Sequence, residues 1–435
     1  MNQKAKLTEY LKSMYKTHLK VKEIVMTCYS LVHRQGFGLL LGALFGLSSA
    51  VTFAQILPTT PQANATQVVV GAAQMSAYLP LIQTKKVAMV VNQTSVVGKT
   101  HLVDSLLALK VPIQKVFAPE HGFRGKADAG EHVKNSRDTK TNLPIISLYG
   151  KNKKPLAQQL ADIDMVIFDI QDVGTRFYTY ISTMHLVMEA CAENNKRMLI
   201  LDRPNPNGHY VAGPMLDKRL KSFVGMHAIP IVHGLTVGEL AFMINNEGWL
   251  KNQKRCDLSV IRIQNYDHQT PYALPVKPSP NLPNDLSIKL YPSLCLFEGT
   301  QISVGRGTYS PFQMIGFPNK KFGKFRFKPK SIAGMSKYPK YQNKQCYGID
   351  FRPKPNQALI QGFSLKYLIE YYKKFQAQKA SKKPFFNGYF NTLVGNFTLQ
   401  QKIRNGWTEA AIVKSWQKDL DNYKALRRRY LLYAE

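Results

Sequence analysis

Apolar residues follow two rhythms along this chain. Short runs that are apolar at nearly every position, Lys86–Asn92 (KVAMVVN), Ile113–Ala118, Ile145–Tyr149, Met165–Ile170 and Arg197–Leu201, alternate with stretches of helical spacing. The helical stretches are His101–Leu109, Pro155–Ile163 and Tyr180–Glu193. A strand that is apolar on both faces needs cover on both, and the intervening helices supply it. The pattern predicts an α/β fold with a mostly parallel sheet. Thr236 and Glu239 stand in capping-box spacing, so a further helix is expected within Leu235–Trp249, and Asp257–Ile263 reads as the strand closing this half. Prolines then crowd Pro271–Pro292, which predicts an ordered crossover into a second part of the chain. There Phe322–Pro329 reads as a basic, aromatic edge strand. Gly362–Lys374 and Trp407–Tyr433 read as amphipathic helices, the last with Arg427, Arg428 and Arg429 on a solvated face.

Open parallel sheets hold their ligands beyond the carboxyl ends of the strands. The predicted strand ends deliver Asn92, then Glu120 and His121, then Asp169, Gln171 and Asp172, then Asp202 and Arg203. The richest exit is Val116–Glu131 (VFAPEHGFRGKADAGE), where an apolar run stops at Pro119 and releases Glu120, His121 and Arg124, with Asp128 and Glu131 close behind. Carboxylates, an imidazole and a guanidinium in one glycine-punctuated loop point to a site. The plainer alternative is a polar surface turn with an Arg124–Glu131 ion pair.

In Asp169–Thr183 (DIQDVGTRFYTYIST), Arg176 precedes a helix start, where a guanidinium can clamp a carboxylate and Tyr178 and its neighbours can stack on a sugar ring. The competing reading makes Phe177 and Tyr180 core residues and pairs Arg176 with Asp172. Asn205 sits in a proline-stiffened turn, DRPNPNG, suited to ligand contact. His233, just before the capped helix, is more often structural than catalytic in such a position. The crossover carries Ser279, Asn281 and Asn284. Glu298 follows an apolar run, and Arg306 lies between Gly305 and Gly307, which let a backbone approach a ligand closely. No GxGxxG follows a strand and no phosphate-cradling GxxxxGK[ST] occurs, which disfavours a dinucleotide or nucleotide role.

A chain of 435 residues with 44% hydrophobic content can hold two or three domains. The formal charge of +32, from 59 basic and 27 acidic residues spread along the whole length, favours anionic partners. Zinc-finger spacing, an RNP-type motif and basic heptads are all missing, so nucleic acid is not expected, which leaves acidic lipid, an acidic envelope glycopolymer, or a high pI that only reflects the proteome of the source organism. Met1–Arg34 is basic, and Gly38–Val51 is an apolar run of signal-peptide length, short of the roughly 20 residues that span a bilayer. Cleavage is expected after Ala54, with export to the periplasm; kept uncleaved, the leader is the sole membrane tether. The expected layout is a leader at 1–54, a linker at 55–74, the sheet domain at 75–270 and a second domain at 271–435. Cys28 leaves with the leader. Cys191, Cys256, Cys295 and Cys346 are widely spaced, which fits neither zinc nor a dense disulfide framework. A metal set of His121, His132 and Asp169 lacks any paired spacing, so no metal and no cofactor are expected.

With these residues in view, the chain resembles the exo-acting β-N-acetylmuramidases of peptidoglycan turnover. The resemblance rests on PEHGFRG (Pro119–Gly125), AGE (Ala129–Glu131), FDIQDVGTRFYTYISTM (Phe168–Met184) and LDRPNPNG (Leu201–Gly208). It continues through HGLTVGEL (His233–Leu240), PSPNLP (Pro278–Pro283) and FEGTQISVGRGT followed by PF (Phe297–Phe312), and spans roughly residues 75–435. It implies a Rossmann-like N-terminal domain without nucleotide function, a smaller α+β C-terminal domain, and a site in the cleft between them. The implied substrate is a non-reducing terminal N-acetylmuramic acid on a muropeptide, disaccharide or glycan end. The long basic leader departs from the family's usual export signal.

Glycoside cleavage needs a carboxylic acid to protonate the leaving oxygen, and usually a second carboxylate as nucleophile or base. Glu120, beside Pro119 and Phe123, is the expected acid. Glu131 is the leading second carboxylate, with Asp169 and Asp172 as rivals, and His121 completes the catalytic candidates. A 2-acetamido sugar also allows its own carbonyl to attack. The lactyl carboxylate needs a cation, for which Arg176, Arg203 and Arg306 are candidates. Asn92, Arg124, Asp172, Tyr178, Asn205, His233, Asn281 and Glu298 are the remaining expected substrate contacts. A non-catalytic envelope-glycan-binding protein using the same cleft is the alternative.

Overall fold

The computed structural model describes residues 67–124, 135–353 and 361–435. The expected leader, most of the expected linker, and Asp128, Glu131 and His132 lie outside the described residues. One seven-stranded sheet contains β1 (Val87–Val91), β2 (Ile113–Ala118), β3 (Ser136–Arg137), β4 (Pro144–Ser147), β5 (Met165–Asp169), β6 (Arg197–Leu201) and β7 (Asp257–Ile261). Their order is β3-β4-β2-β1-β5-β6-β7, and every pairing is parallel except β3 with β4.

The apolar runs form central strands because both of their faces are covered. All residues of β1 and β5 are buried. Val87, Met89 and Val91 face one core together with Tyr78 and Ile82 of α1 (Met75–Ile82) and Leu102 and Leu106 of α2 (Leu102–Ala108). Ala88 and Val90 face the other core, with Leu160 of α3 (Ala157–Leu160), Ile181 and Met184 of α4 (Tyr180–Glu193), and Leu240 and Ile244 of α5 (Val237–Asn246). Alternate residues of one strand thus build two cores. The capping box at α5 forms as its spacing predicts: Thr236 N donates to Glu239 Oε2 at 2.8 Å.

The second core runs on without a break into the C-terminal half. There α6 (Asp285–Leu294) starts under the Asn284 side chain, which accepts from Ser287 N at 3.0 Å. A three-stranded antiparallel sheet follows, with β8 (Met314–Phe317) and β9 (Phe325–Phe327) flanking β10 (Cys346–Asp350). Among the described residues five α-helices follow: α7 (Lys366–Ala377), α8 (Phe390–Val394), α9 (Thr398–Arg404), α10 (Glu409–Lys414) and α11 (Gln417–Arg428). Among the described residues no helix is long and apolar enough to cross a membrane.

Three local expectations change. The amphipathic stretch after Trp407 is two helices, because Trp416 turns inward and is buried at the break between them. Arg427 is not on a solvated face: it is 3% exposed, and its Nε donates to Gly234 O at 2.8 Å, pinning α11 to the sheet domain. Residues 69–74 belong to the fold rather than to a linker. Val69 bridges Gln264, and Gly71 N donates to Asp202 O at 2.9 Å. A Cβ on Gly71 would lie 2.6 Å from both Asp202 N and Ile261 O, so only glycine allows that approach. Cys191, Cys256, Cys295 and Cys346 are all buried free thiols.

Candidate active site

Where β2 and β5 end, the sheet edge meets the C-terminal half around an open hollow of about 460 Å³, mouth included. Glu120, His121, Tyr178, Asn281 and Arg306, each a candidate from the sequence, line it together with Phe312. Pro119 halts β2, and Gly122 N closes the turn onto Pro119 O at 3.0 Å. The closure holds His121 in the left-handed region at φ 69°, and Phe312, also in the lining, stands at φ 56°. Such a conformation costs an ordinary L-residue roughly 1–2 kcal/mol and gathers at functional sites. Two of these residues in the lining of one hollow fit that association.

Glu120 is anchored from three sides. Thr179 Oγ1 donates to its Oε2 at 3.0 Å, and the Tyr180 hydroxyl meets its backbone carbonyl at 3.4 Å. The Tyr149 phenol hydrogen-bonds its carboxyl group; burial, then the Glu120 charge, push that phenol well above its ordinary pKa. Facing it, Arg306 donates from Nε to Glu298 Oε1 at 2.5 Å and from Nη2 to Oε2 at 3.0 Å, with Phe312 stacked 5.1 Å from the guanidinium carbon. Burial opposes the Arg306 charge, but Glu298 outweighs it and raises the pKa above the ordinary value. Glu298 takes the Nε–Nη2 edge, so the other edge of the guanidinium is the one a ligand can use.

The other expected contacts frame the hollow without lining it. Arg203 is locked onto Asp169 at β5, both cut off from solvent. Arg176 is not at a carboxylate clamp: it is fully buried, donating from Nη1 to Pro214 O at 3.0 Å and Ile229 O at 2.8 Å, and from Nη2 to Val394 O. Burial with no acid against it lowers its pKa to about 9. It pairs with Asp172 in neither sense, because Asp172 Oδ2 accepts from Gly174 N at 2.6 Å and lies 3.7 Å from buried His233 Nε2. Asn92 Oδ1 accepts from Thr94 N at 2.9 Å, and Asn205 Nδ2 donates to Leu235 O at 2.8 Å, so both stiffen loops. Arg124 pairs with Asp138 at 2.7 Å and Asp104 at 3.3 Å. Among the described residues, no three of His, Cys, Asp and Glu gather in a way that would hold a metal ion.

Sequence reasoning overlooked Thr179, Tyr291, Phe312 and Tyr149, whereas Ser279, noted in the crossover, does line the hollow. Tyr149 carried a positional signal only, since it closes a predicted strand. The crossover is hung on the same wall: Tyr178 donates its hydroxyl to Pro278 O at 2.8 Å, which places Ser279 and Asn281 over the hollow.

Known proteins share this organisation. The family description "Exo-beta-N-acetylmuramidase NamZ, N-terminal" matches residues 87–286, and its C-terminal counterpart matches residues 289–433. The chain is 36% identical over 383 residues to the peptidoglycan beta-N-acetylmuramidase NamZ of Bacillus subtilis strain 168, covering 82% of this chain and 89% of that protein. A solved DUF1343 family protein of Bacteroides fragilis NCTC 9343 superposes with a TM-score of 0.78 at 45% identity, covering 85% of this chain and 100% of that one. A second from the same organism gives 0.70 at 28% identity, covering 84% and 99%. Matched through both halves, the chain belongs to the exo-β-N-acetylmuramidase NamZ family.

Proposed function

We propose that this protein is a glycoside hydrolase that releases terminal N-acetylmuramic acid from the non-reducing end of peptidoglycan fragments, with Glu120 as the proton donor to the leaving oxygen. The observation that carries the reading is the sharing of one hollow by the Glu120 carboxyl and the Arg306 guanidinium. A muramic residue offers both an acetal oxygen to protonate and a lactyl carboxylate to grip. Arg306 is the cation for the latter, since Arg176 and Arg203 already hold other partners. His121 borders the reacting sugar, and Tyr178 and Asn281 complete the walls.

Glu131 remains the proposed second carboxylate. Asp169 is neutralised by Arg203, and Asp172 caps the turn at Gly174, which argues against either rival. Muropeptides and disaccharides are the substrate class that an acid-and-cation hollow suits. The apolar run at Gly38–Val51 supports export to the periplasm, with membrane attachment only through the leader.

The test is sugar release from a MurNAc–GlcNAc disaccharide or a chromogenic muramoside. Glu120→Gln should abolish release while ligand binding survives, which also separates an enzyme from a glycan-binding protein. Full activity in that variant would remove Glu120 from the chemistry.

A further inference from the structure

The parallel pairing of β2 with β4 sets Ala118 opposite Ser147, and Leu148 N continues the ladder onto Ala118 O at 2.8 Å. Two residues further on, Glu120 and Tyr149 leave neighbouring strands at the same level. The register alone therefore brings them side by side, and the Tyr149 phenol completes the contact with the Glu120 carboxyl. Thr179, which precedes α4, supplies a second hydroxyl to the same group at 3.0 Å. From the C-terminal half Tyr389, 44% exposed, comes within electrostatic reach of Tyr149, Glu120 and Glu298. The phenol thus stands at the acid, on the side where the two halves meet.

We infer that Tyr149 is a positioning residue for Glu120, holding the carboxyl group at one angle to the hollow together with Thr179 and leaving its reactive edge free to meet the leaving oxygen. The inference rests on the reading of Glu120 as the reacting acid and extends it to a residue outside the lining of the hollow. Its chemistry is charge-dependent. Both hydroxyls can donate to the carboxyl group in either form, but the bonds are about twice as strong to the ionised carboxylate as to the acid. A phenol is the better donor of that pair, so removing it changes both the aim of the carboxyl and the pH at which the enzyme loses its working form.

The experiment measures kcat and KM of Tyr149→Phe on a chromogenic muramoside across the pH range, with thermal midpoints and Glu120→Gln in parallel. Loss of a hydrogen bond to a charged group predicts a fall in kcat of about 10- to 100-fold with KM little changed. The ionisation limb of the kcat/KM profile should also move to higher pH. If Tyr149→Phe folds poorly, a fluorinated tyrosine at the same position keeps the shape, strengthens the donor and should move the limb to lower pH. A fall in kcat with an unmoved profile would reduce Tyr149 to packing and overturn the inference. So would wild-type kinetics in Tyr149→Phe, and if Glu120→Gln is then inactive the reading of Glu120 still stands. Activity retained in Glu120→Gln would overturn both.

Discussion

Arg203 grips Asp169 in a two-pronged ion pair, Nε to Oδ1 at 2.5 Å and Nη2 to Oδ2 at 2.8 Å, with 2% and 0% of the two side chains exposed. A carboxylate at a strand exit, which sequence reasoning counts toward a site, is here neutralised within the frame. Removing one partner strands the other as a buried charge, at a cost of about 3–5 kcal/mol. Arg203→Ala should lower the unfolding free energy by that much in a denaturant titration, whereas Arg203→Met with Asp169→Leu should recover most of the loss. Full stability in Arg203→Ala with altered KM would instead place Arg203 on the substrate.

Arg306 should report on the lactyl group alone. Arg306→Gln removes a charge-assisted contact of about 1.5–3 kcal/mol, or about 10- to 150-fold in kcat/KM, for a muramoside. A glucosaminide without the lactyl ether should be hydrolysed no worse by the variant than by the wild type. Equal losses on both substrates would show that Arg306 serves the fold through Glu298.

His121 is constrained by its backbone as well as its ring. Asparagine tolerates the left-handed region better than other side chains, so His121→Asn should fold with a thermal midpoint within about 4 °C of the wild type. Activity should fall at least about tenfold if the imidazole borders the reacting sugar. Unchanged kcat and KM would leave His121 only the turn to make.

Acid should weaken the fold through a buried imidazole pair. His185 Nδ1 lies 3.2 Å from His227 Nε2. Burial lowers the His185 pKa to about 4, Glu189 opposing and Lys221 and Lys154 assisting, and His227 is also held well below its ordinary value. The unfolded chain takes up the His185 proton near pH 6.5 and the folded one only near 4, so this contribution is full above 6.5 and lost as pH falls toward 4; the His227 contribution has the same sign. His185 alone contributes up to about 1.4 kcal/mol per pH unit in that window. Denaturation midpoints at pH 7 and pH 5 check this, and His185→Gln should flatten the difference.

Runs apolar on both faces gave strand positions within a residue or two, because burial on two sides leaves little choice of conformation. β3 escaped notice: it has two exposed residues and no hydrophobic signature. Glu120 and Arg306 were legible from their loops, since proline and glycine flanks are local. The fates of Arg176 and Arg203 were not. Whether a guanidinium meets a ligand or a carbonyl depends on residues far along the chain, and for Arg176 one carbonyl is 218 positions away. Tyr149 was not legible as a site residue, because a phenol at a strand end is as common in cores as in sites and carries no charge to mark it.

The carbonyl cage around Arg176 sets how the molecule can move. Its guanidinium links Pro214 and Ile229 to Val394, so it straddles the seam between the halves. Gaping them apart like a book would drag a cation off its dipoles into an oily gap. Any motion that widened the hollow by parting the halves would have to break this cage first, so the seam acts as a rivet rather than a hinge.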